Sequence, residues 1–295
     1  LQEPDFTAFG EWTRLWPEAK YYQLFLSVRT HDGIAGLQFD TPEFRHAVTE
    51  WAAALERYLT ANKYRSGQVQ INIIDEPQTI EQYRTLLAWA QAIKAGSLST
   101  DIWVNVLKVF DDPVVTEALK QCDIICPHAN FLSDAANAAI VAQWREQGKT
   151  LQVYCFDGRN QGPEYHLMQA YLCFANGGTG SHFWSYFDNV AADMWNEYVC
   201  SIGGAAFGIS CVSPTGVTPT KRTKALAEGI RDYEYLQMLP NRAEAQKLAA
   251  QAWTEVSVSG SVGNPDTPSP LYKLEAVRAR ILAELAAEPQ SETEK

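Results

Sequence analysis

Apolar residues recur along this chain with two alternating periods. Phe6, Phe9, Trp12 and Leu15 or Trp16 fall at helical spacing over 5–16. The run YYQLFLSV (21–28) then reads as a strand. Thr41-Pro42 supplies an N-cap residue followed by proline at the first helical position. Behind it Phe44, Ala47, Val48, Trp51, Leu55, Tyr58 and Leu59 make one stripe of a long helix. QVQINIID (68–75) is the next strand. Thr79 with Gln82 three residues later forms a capping box, and Tyr83, Leu86, Leu87 and Ala90 share a face of the helix it opens. Gly96 suits that helix's C-terminal stop. The alternation continues with a strand at 101–109 (DIWVNVLKV), a short helix from Asp112-Pro113, and a strand at 122–128 (CDIICPH). A helix then runs from Ser133 to near Gly148, followed by a strand at 150–156 (TLQVYCF), a helix over 163–175 and a strand at 180–186 (GSHFWSY). A long loop comes next. Helical stretches over 220–240, 242–254 and 270–287 lead into the charged tail EPQSETEK.

Six strands alternating with helices imply an α/β chain with a parallel sheet and helical crossovers, either doubly wound or a (β/α)8 barrel. No GxGxxG or P-loop follows any strand, which removes the main signal of nucleotide-binding sheets. The strands also carry polar residues at one parity, Gln70 and Asn72 in one, Trp103 and Asn105 in another. Opposite parity is apolar, with Ile71, Ile73, Ile102, Val104 and Val106. Polar inward residues near the mouth and an apolar face toward helices are what a TIM-type barrel needs. The expectation is therefore an incomplete (β/α)8 barrel over 1–240, with strands three to eight present and the first two missing from this chain. Residues 241–295 are expected as C-terminal helices packed on it, with a frayed acidic tail. Leu1 is not an initiator methionine, so the chain reads as part of a longer parent whose N-terminal part is missing.

Composition narrows the partners. The 295 residues are 46% hydrophobic and 20% charged, as in a folded globular chain. Net charge is −11, which disfavours nucleic acid or an anionic membrane. No apolar run reaches the roughly 20 residues of a membrane span. Nine Trp and thirteen Tyr supply flat rings, mostly for the core, but also of the kind on which sugar C–H faces pack. The six cysteines sit mostly in apolar runs as free buried thiols. CDIIC has no second Cys or His pair to answer it, so neither a metal nor a cofactor is expected.

The chemistry collects where strands end. INIIDEP (71–77) runs four mostly apolar residues into Asp75-Glu76 and a proline. Glu76 shares parity with Gln70 and Asn72 and should face the mouth. Asp75 has the opposite parity and would face the helices unless the strand breaks. Pro77 should push Glu76 to extended geometry. The alternative is an acidic strand end that caps the next helix, but Thr79 already fills that cap. Two carboxylates in an aromatic-lined mouth fit glycosidic bond cleavage, where one acid protonates the leaving oxygen and a second group stabilises developing positive charge.

YYQLFL, IDEP, GTGSHFWSYFD, MWNEY and EGIRDYEYL, in that order and spanning the WP near residue 16 to about residue 240, resemble the catalytic domain of glycoside hydrolase family 123 and the related "domain of unknown function 4091" group. The resemblance implies a retaining, substrate-assisted N-acetylhexosaminidase, exo-acting and N-acetylgalactosaminidase-like. In it Glu76 is the general acid/base, and Asp75 polarises the substrate's 2-acetamido group, which attacks in place of an enzyme nucleophile. One departure stands out: His166 and Leu167 in GPEYHLMQAYLCF occupy the place where relatives carry arginine after an aromatic. The implied partner is a 2-acetamido glycan. Asn105, His128, Tyr154, Asp157, Trp184, Tyr186, Trp195 and Asn196 are the expected substrate-binding residues.

Each has a plainer alternative. Trp184 and Tyr186 are ordinary aromatic packing or, by alternation on one face, a sugar floor. Trp195 and Asn196 lie in a loop, where they either bind a hydroxyl or tie the loop down. His128 either meets substrate or hydrogen-bonds locally. Asp157, in Asp-Gly, is a turn residue or the nucleophile of a double-displacement glycosidase, which would need about 5–5.5 Å between carboxyls. Asp232 and Glu234, in EGIRDYEYL, read as part of a packing signature. A non-catalytic carbohydrate-binding or structural barrel is the alternative for the whole chain.

Overall fold

Capping chemistry sets the first half of the molecule. In the computed structural model, which describes residues 3–97, 99–156, 162–187, 192–193, 196–200, 208–257 and 271–287, a short helix α1 (Thr7–Arg14) precedes strand β1 (Tyr22–Phe25). Thr41 Oγ1 accepts the Phe44 amide and Pro42 sits in the first turn, starting α2 (Pro42–Ala61). The Thr79–Gln82 capping box is complete at the start of α3 (Ile80–Gly96). Asp112 accepts the Val114 amide at 2.7 Å and opens α4 (Pro113–Gln121). Each such cap satisfies a helix-end donor and contributes about 1 kcal/mol.

Helices α2, α3 and α4 are crossovers between parallel strands β1, β2 (Val69–Asn72), β3 (Thr100–Val106) and β4 (Ile124–Pro127). A short strand β5 (Thr150–Leu151) completes a five-stranded sheet in the order β1-β2-β3-β4-β5. Register puts Phe25, Asn72 and Trp103 in one row, so these and Asn105 share a face. The other face carries Val69, Ile71, Ile102, Val104 and Ile125, all fully buried. Burying each such side chain contributes roughly 1.5–3 kcal/mol. Gly96 stops α3 for a reason other than a left-handed cap. A Cβ there would lie 2.1 Å from the Thr49 carbonyl oxygen of α2, so glycine lets the two helices approach.

Two features differ from the sequence expectation here. Ser133 does not open a helix. It ends α5 (Ala129–Ser133), its hydroxyl donating back to Ala129 O at 2.8 Å. Asp134 caps a 3-10 turn, and α6 (Ala138–Glu146) follows. The run TLQVYCF is also two strands, broken at buried Gln152 into β5 and β6 (Val153–Phe156). A uniformly apolar run does not reveal that its two halves pair with different neighbours.

The chain divides into two compact units, Leu1–Thr150 and Leu151–Lys295. In the second, α7 (Pro163–Ala175) connects β6 to its parallel partner β7 (Ser181–Trp184). The stretch read as a long loop holds two hairpins among the described residues. These are β8 (Ala192–Asp193) with β9 (Asn196–Cys200), and β10 (Ser210–Ser213) with β11 (Gly216–Pro219). Strands of two to five residues are too short for periodicity to announce. Helices α8 (Lys221–Met238), α9 (Arg242–Ser257) and α10 (Leu271–Ala287) share one core with α7, built on Leu167, Met168, Tyr171, Phe174, Leu236, Leu248 and Ile281. The architecture is mixed α/β with a parallel central sheet. Among the described residues, the strands form that five-stranded sheet, one further parallel pair and the two hairpins, and do not close into eight.

Candidate functional site

Strand β2 ends at Asn72, earlier than the sequence run suggests. Ile73 and Ile74 stay buried, and the chain then turns sharply. Asp75 emerges exposed, Glu76 is half-buried and Pro77 is buried. Glu76 adopts φ +48°, in the left-handed region that non-glycine residues rarely enter. The expectation that Pro77 forces Glu76 into extended geometry is thereby corrected. The reason is a neighbouring side chain. Asn105, on β3, accepts the Glu76 backbone N–H at 2.9 Å and donates from Nδ2 to Asp75 Oδ1 at 2.5 Å. Those contacts outweigh the local pre-proline preference. Asn72 Nδ2 donates to the same Asn105 oxygen at 3.4 Å. Asp75 therefore does not face the crossover helices. The turn brings it to the side chain of Asn105, on the face that carries Asn72.

Other candidates are placed as follows. His128 is buried and caps α5, its Nδ1 accepting the Asn130 amide at 3.1 Å. Burial pushes its pKa down to about 4, so the ring is neutral near pH 7. Tyr154 is buried in β6, and register pairs it with His182 of β7. His182 meets Gln152 Oε1 at 2.6 Å, and burial lowers its pKa to about 4. Trp184 ends β7 with 63% of its surface exposed, and Tyr186 and Phe187 are exposed beside it in sequence. The strand does not reach Tyr186, so alternation does not set that side chain's direction. The Tyr186 carbonyl instead receives the Ser210 amide at 3.0 Å. Asp157 and Trp195 lie outside the described residues, as does the side chain of Asn196.

Two residues on the Asn105 face went unassigned in the sequence. Phe25 is exposed at the end of β1, its ring centroid 6.2 Å from that of Trp103. Both share parity with Gln70 and Asn72, and that was the available signal. His166, standing where arginine was anticipated, is fully buried in α7.

A second carboxylate cluster lies in the other unit. Asp232 is 1% exposed and takes a two-pronged contact from Arg278, Nε to Oδ1 and Nη2 to Oδ2, both 2.8 Å. Tyr171 O–H donates to Oδ2 at 3.0 Å. Gly229, one turn before, packs where a Cβ would meet the Leu167 carbonyl oxygen of α7 at 2.4 Å. Tyr233 donates to the Gly178 carbonyl at 2.8 Å. EGIRDYEYL is thus a packing element in which each of these residues has a structural task.

Among the described residues no group of three or more His, Cys, Asp or Glu is arranged to hold a metal, and no helix is long and apolar enough to cross a membrane. Cys122, Cys126, Cys155 and Cys173 are buried, and burial pushes the Cys122 and Cys173 thiols up to about 12.

No family model matches the chain, and no curated protein matches it. Solved structures do. A family 123 glycoside hydrolase from Clostridium perfringens aligns over 83% of this chain and 45% of its own, at 13% identity and a TM-score of 0.55. An endo-β-1,4-mannanase from Thermotoga petrophila aligns over 66% of this chain and 51% of its own, at 10% identity and a TM-score of 0.44. The chain spans about half the length of these structures. The first likeness defines the class of fold, which is glycoside hydrolase-like.

Proposed function

We propose that this chain carries the active site of a retaining, substrate-assisted glycoside hydrolase acting on 2-acetamido sugars. Glu76 is the general acid/base. Asp75 orients and polarises the acetamido group as its oxygen attacks the anomeric carbon. The bond to the leaving oxygen breaks as Glu76 gives up its proton, and water then opens the cyclic intermediate with Glu76 as base. The observation that supports this reading is the acidic turn after β2, where Asn105 bonds the Asp75 carboxylate and the Glu76 backbone N–H. The C-terminal ends of parallel strands are where barrel enzymes keep their chemistry. The fold likeness to a family 123 glycoside hydrolase supports a glycosidase, and the motif resemblance is what implies a 2-acetamido substrate, N-acetylgalactosaminides included. The same reading takes 1–240 as part of a (β/α)8 barrel, this chain supplying its third to eighth strands, with 241–295 as helices upon it.

Paired aryl glycosides test the reading, one bearing a 2-acetamido group and the other a 2-hydroxyl. Turnover confined to the acetamido sugar, with retained configuration, is the expected result. Equal turnover of both sinks the assisted mechanism. A second reading, a sugar-binding surface without chemistry, draws on exposed Trp184, Tyr186 and Phe187. It predicts no turnover and an affinity that depends on Trp184 rather than on Glu76.

A further inference from the structure

We infer that Asn105 is the positioning residue of the acidic turn, the side chain that sets where Asp75 and Glu76 point. This rests on the role proposed for those two carboxylates and concerns how they are held. Asn105 occupies the second-to-last position of β3, opposite Cys126 of β4, and is buried. One amide serves both acidic residues, its nitrogen bonding the Asp75 carboxylate and its oxygen the Glu76 backbone N–H. Only a side chain that donates and accepts at the same reach can do this. Aspartate has no donor when ionised, and leucine has neither group.

The amide's orientation is itself fixed. Asn72 Nδ2 points at the Asn105 oxygen. Turning the Asn72 amide over would set two carbonyl oxygens against each other. Among the described residues Asn72 Oδ1 is buried with no hydrogen-bond partner, and the bond that Nδ2 donates to Asn105 makes Asn72 the back support. The order of support runs from Asn72 to Asn105 to the two carboxylate residues. Glu76 meanwhile adopts a backbone geometry that neither its own Cβ nor the following proline favours. A conformation of that kind persists only where its surroundings over-determine it, and the Asn105 contacts do so here. Asn105 was the natural candidate to touch substrate. The structure assigns it instead to the layer beneath.

Two variants test this. Asn105→Leu removes both contacts, and Asn105→Asp keeps the shape while removing the donor. Both are expected to lower kcat by about 100-fold, the usual cost of misplacing a catalytic group by an ångström, with KM little changed. The loss should be larger for substrates with poor leaving groups, which need a well-aimed acid, than for activated nitrophenyl glycosides. A crystal structure of Asn105→Leu should show Glu76 returned to negative φ. If Asn105→Leu does not fold, the isosteric Asn105→Asp decides the kinetics. Unchanged kcat in Asn105→Asp, or an acidic turn that superimposes on the parent in Asn105→Leu, overturns the inference. Full turnover in Glu76→Gln would defeat the catalytic reading instead, and Glu76 φ in the Asn105→Leu crystal would still decide the positioning role.

Discussion

Asp75-Glu76 in the first unit and Asp232 in the second are carboxylates in opposite circumstances. Asp232 is sealed, with both oxygens matched by Arg278 and Tyr171, on a helix with ordinary geometry. Asp75 is exposed, and Glu76 sits on a strained backbone at a strand end. A carboxylate whose lone pairs are all engaged by its own fold has nothing left to offer a substrate. Asp75, exposed and engaged at Oδ1 by Asn105, still faces solvent. A close-packed partner set marks structure, and accessible acid on a turn the fold must force marks chemistry.

That contrast can be broken most severely at Asp232. Asp232→Ala leaves the Arg278 guanidinium only Glu228 at 3.6 Å among the described carboxylates and takes away the acceptor of the buried Tyr171 hydroxyl, and should cost about 3 kcal/mol. Urea unfolding measures it, and a loss under 1 kcal/mol would remove the structural half of the comparison. Acid adds a second axis. His128 and His182, one in each unit, have pKa values lowered by burial to about 4. Between about pH 6.5 and 4 the unfolded chain takes up protons that the folded chain refuses. Stability is therefore full above pH 6.5 and falls on acidification, by at most about 1.4 kcal/mol per pH unit for each histidine. A flat profile over that window in urea titrations would contradict their burial as neutral rings.

Smaller effects sharpen the other side. Glu76→Gly removes the Cβ that makes φ +48° unfavourable. It should raise stability by up to about 1 kcal/mol while abolishing turnover. A destabilised Glu76→Gly variant would mean the turn is not strained. Trp184→Ala should change stability by less than about 0.5 kcal/mol, because the ring lies mostly in solvent. Sugar affinity, measured by calorimetry, should fall.

What was legible in the sequence was local. Thr41-Pro42, Thr79 with Gln82, and Asp112-Pro113 announce their helices because a cap and its partner lie within four residues. Parity placed Asn72 and Asn105 on one face for the same reason. What the sequence hid depended on distant partners. Asn105 bonds residues about thirty positions earlier, and Asp232 bonds Arg278 far along the chain. No local rule reveals either contact. The pre-proline preference at Glu76 was sound as chemistry and lost to a side chain from the neighbouring strand. The residues of the candidate site were readable, then, while the forces that orient them were not.

The central claim is that Glu76 is the proton donor. Turnover of a 4-nitrophenyl 2-acetamido glycoside by Glu76→Gln, set against the parent protein at equal thermal stability, addresses it most directly. The account predicts a loss of about 10²–10⁴-fold in rate, the worth of a positioned acid. Glu76→Gln turning over as fast as its parent would contradict it.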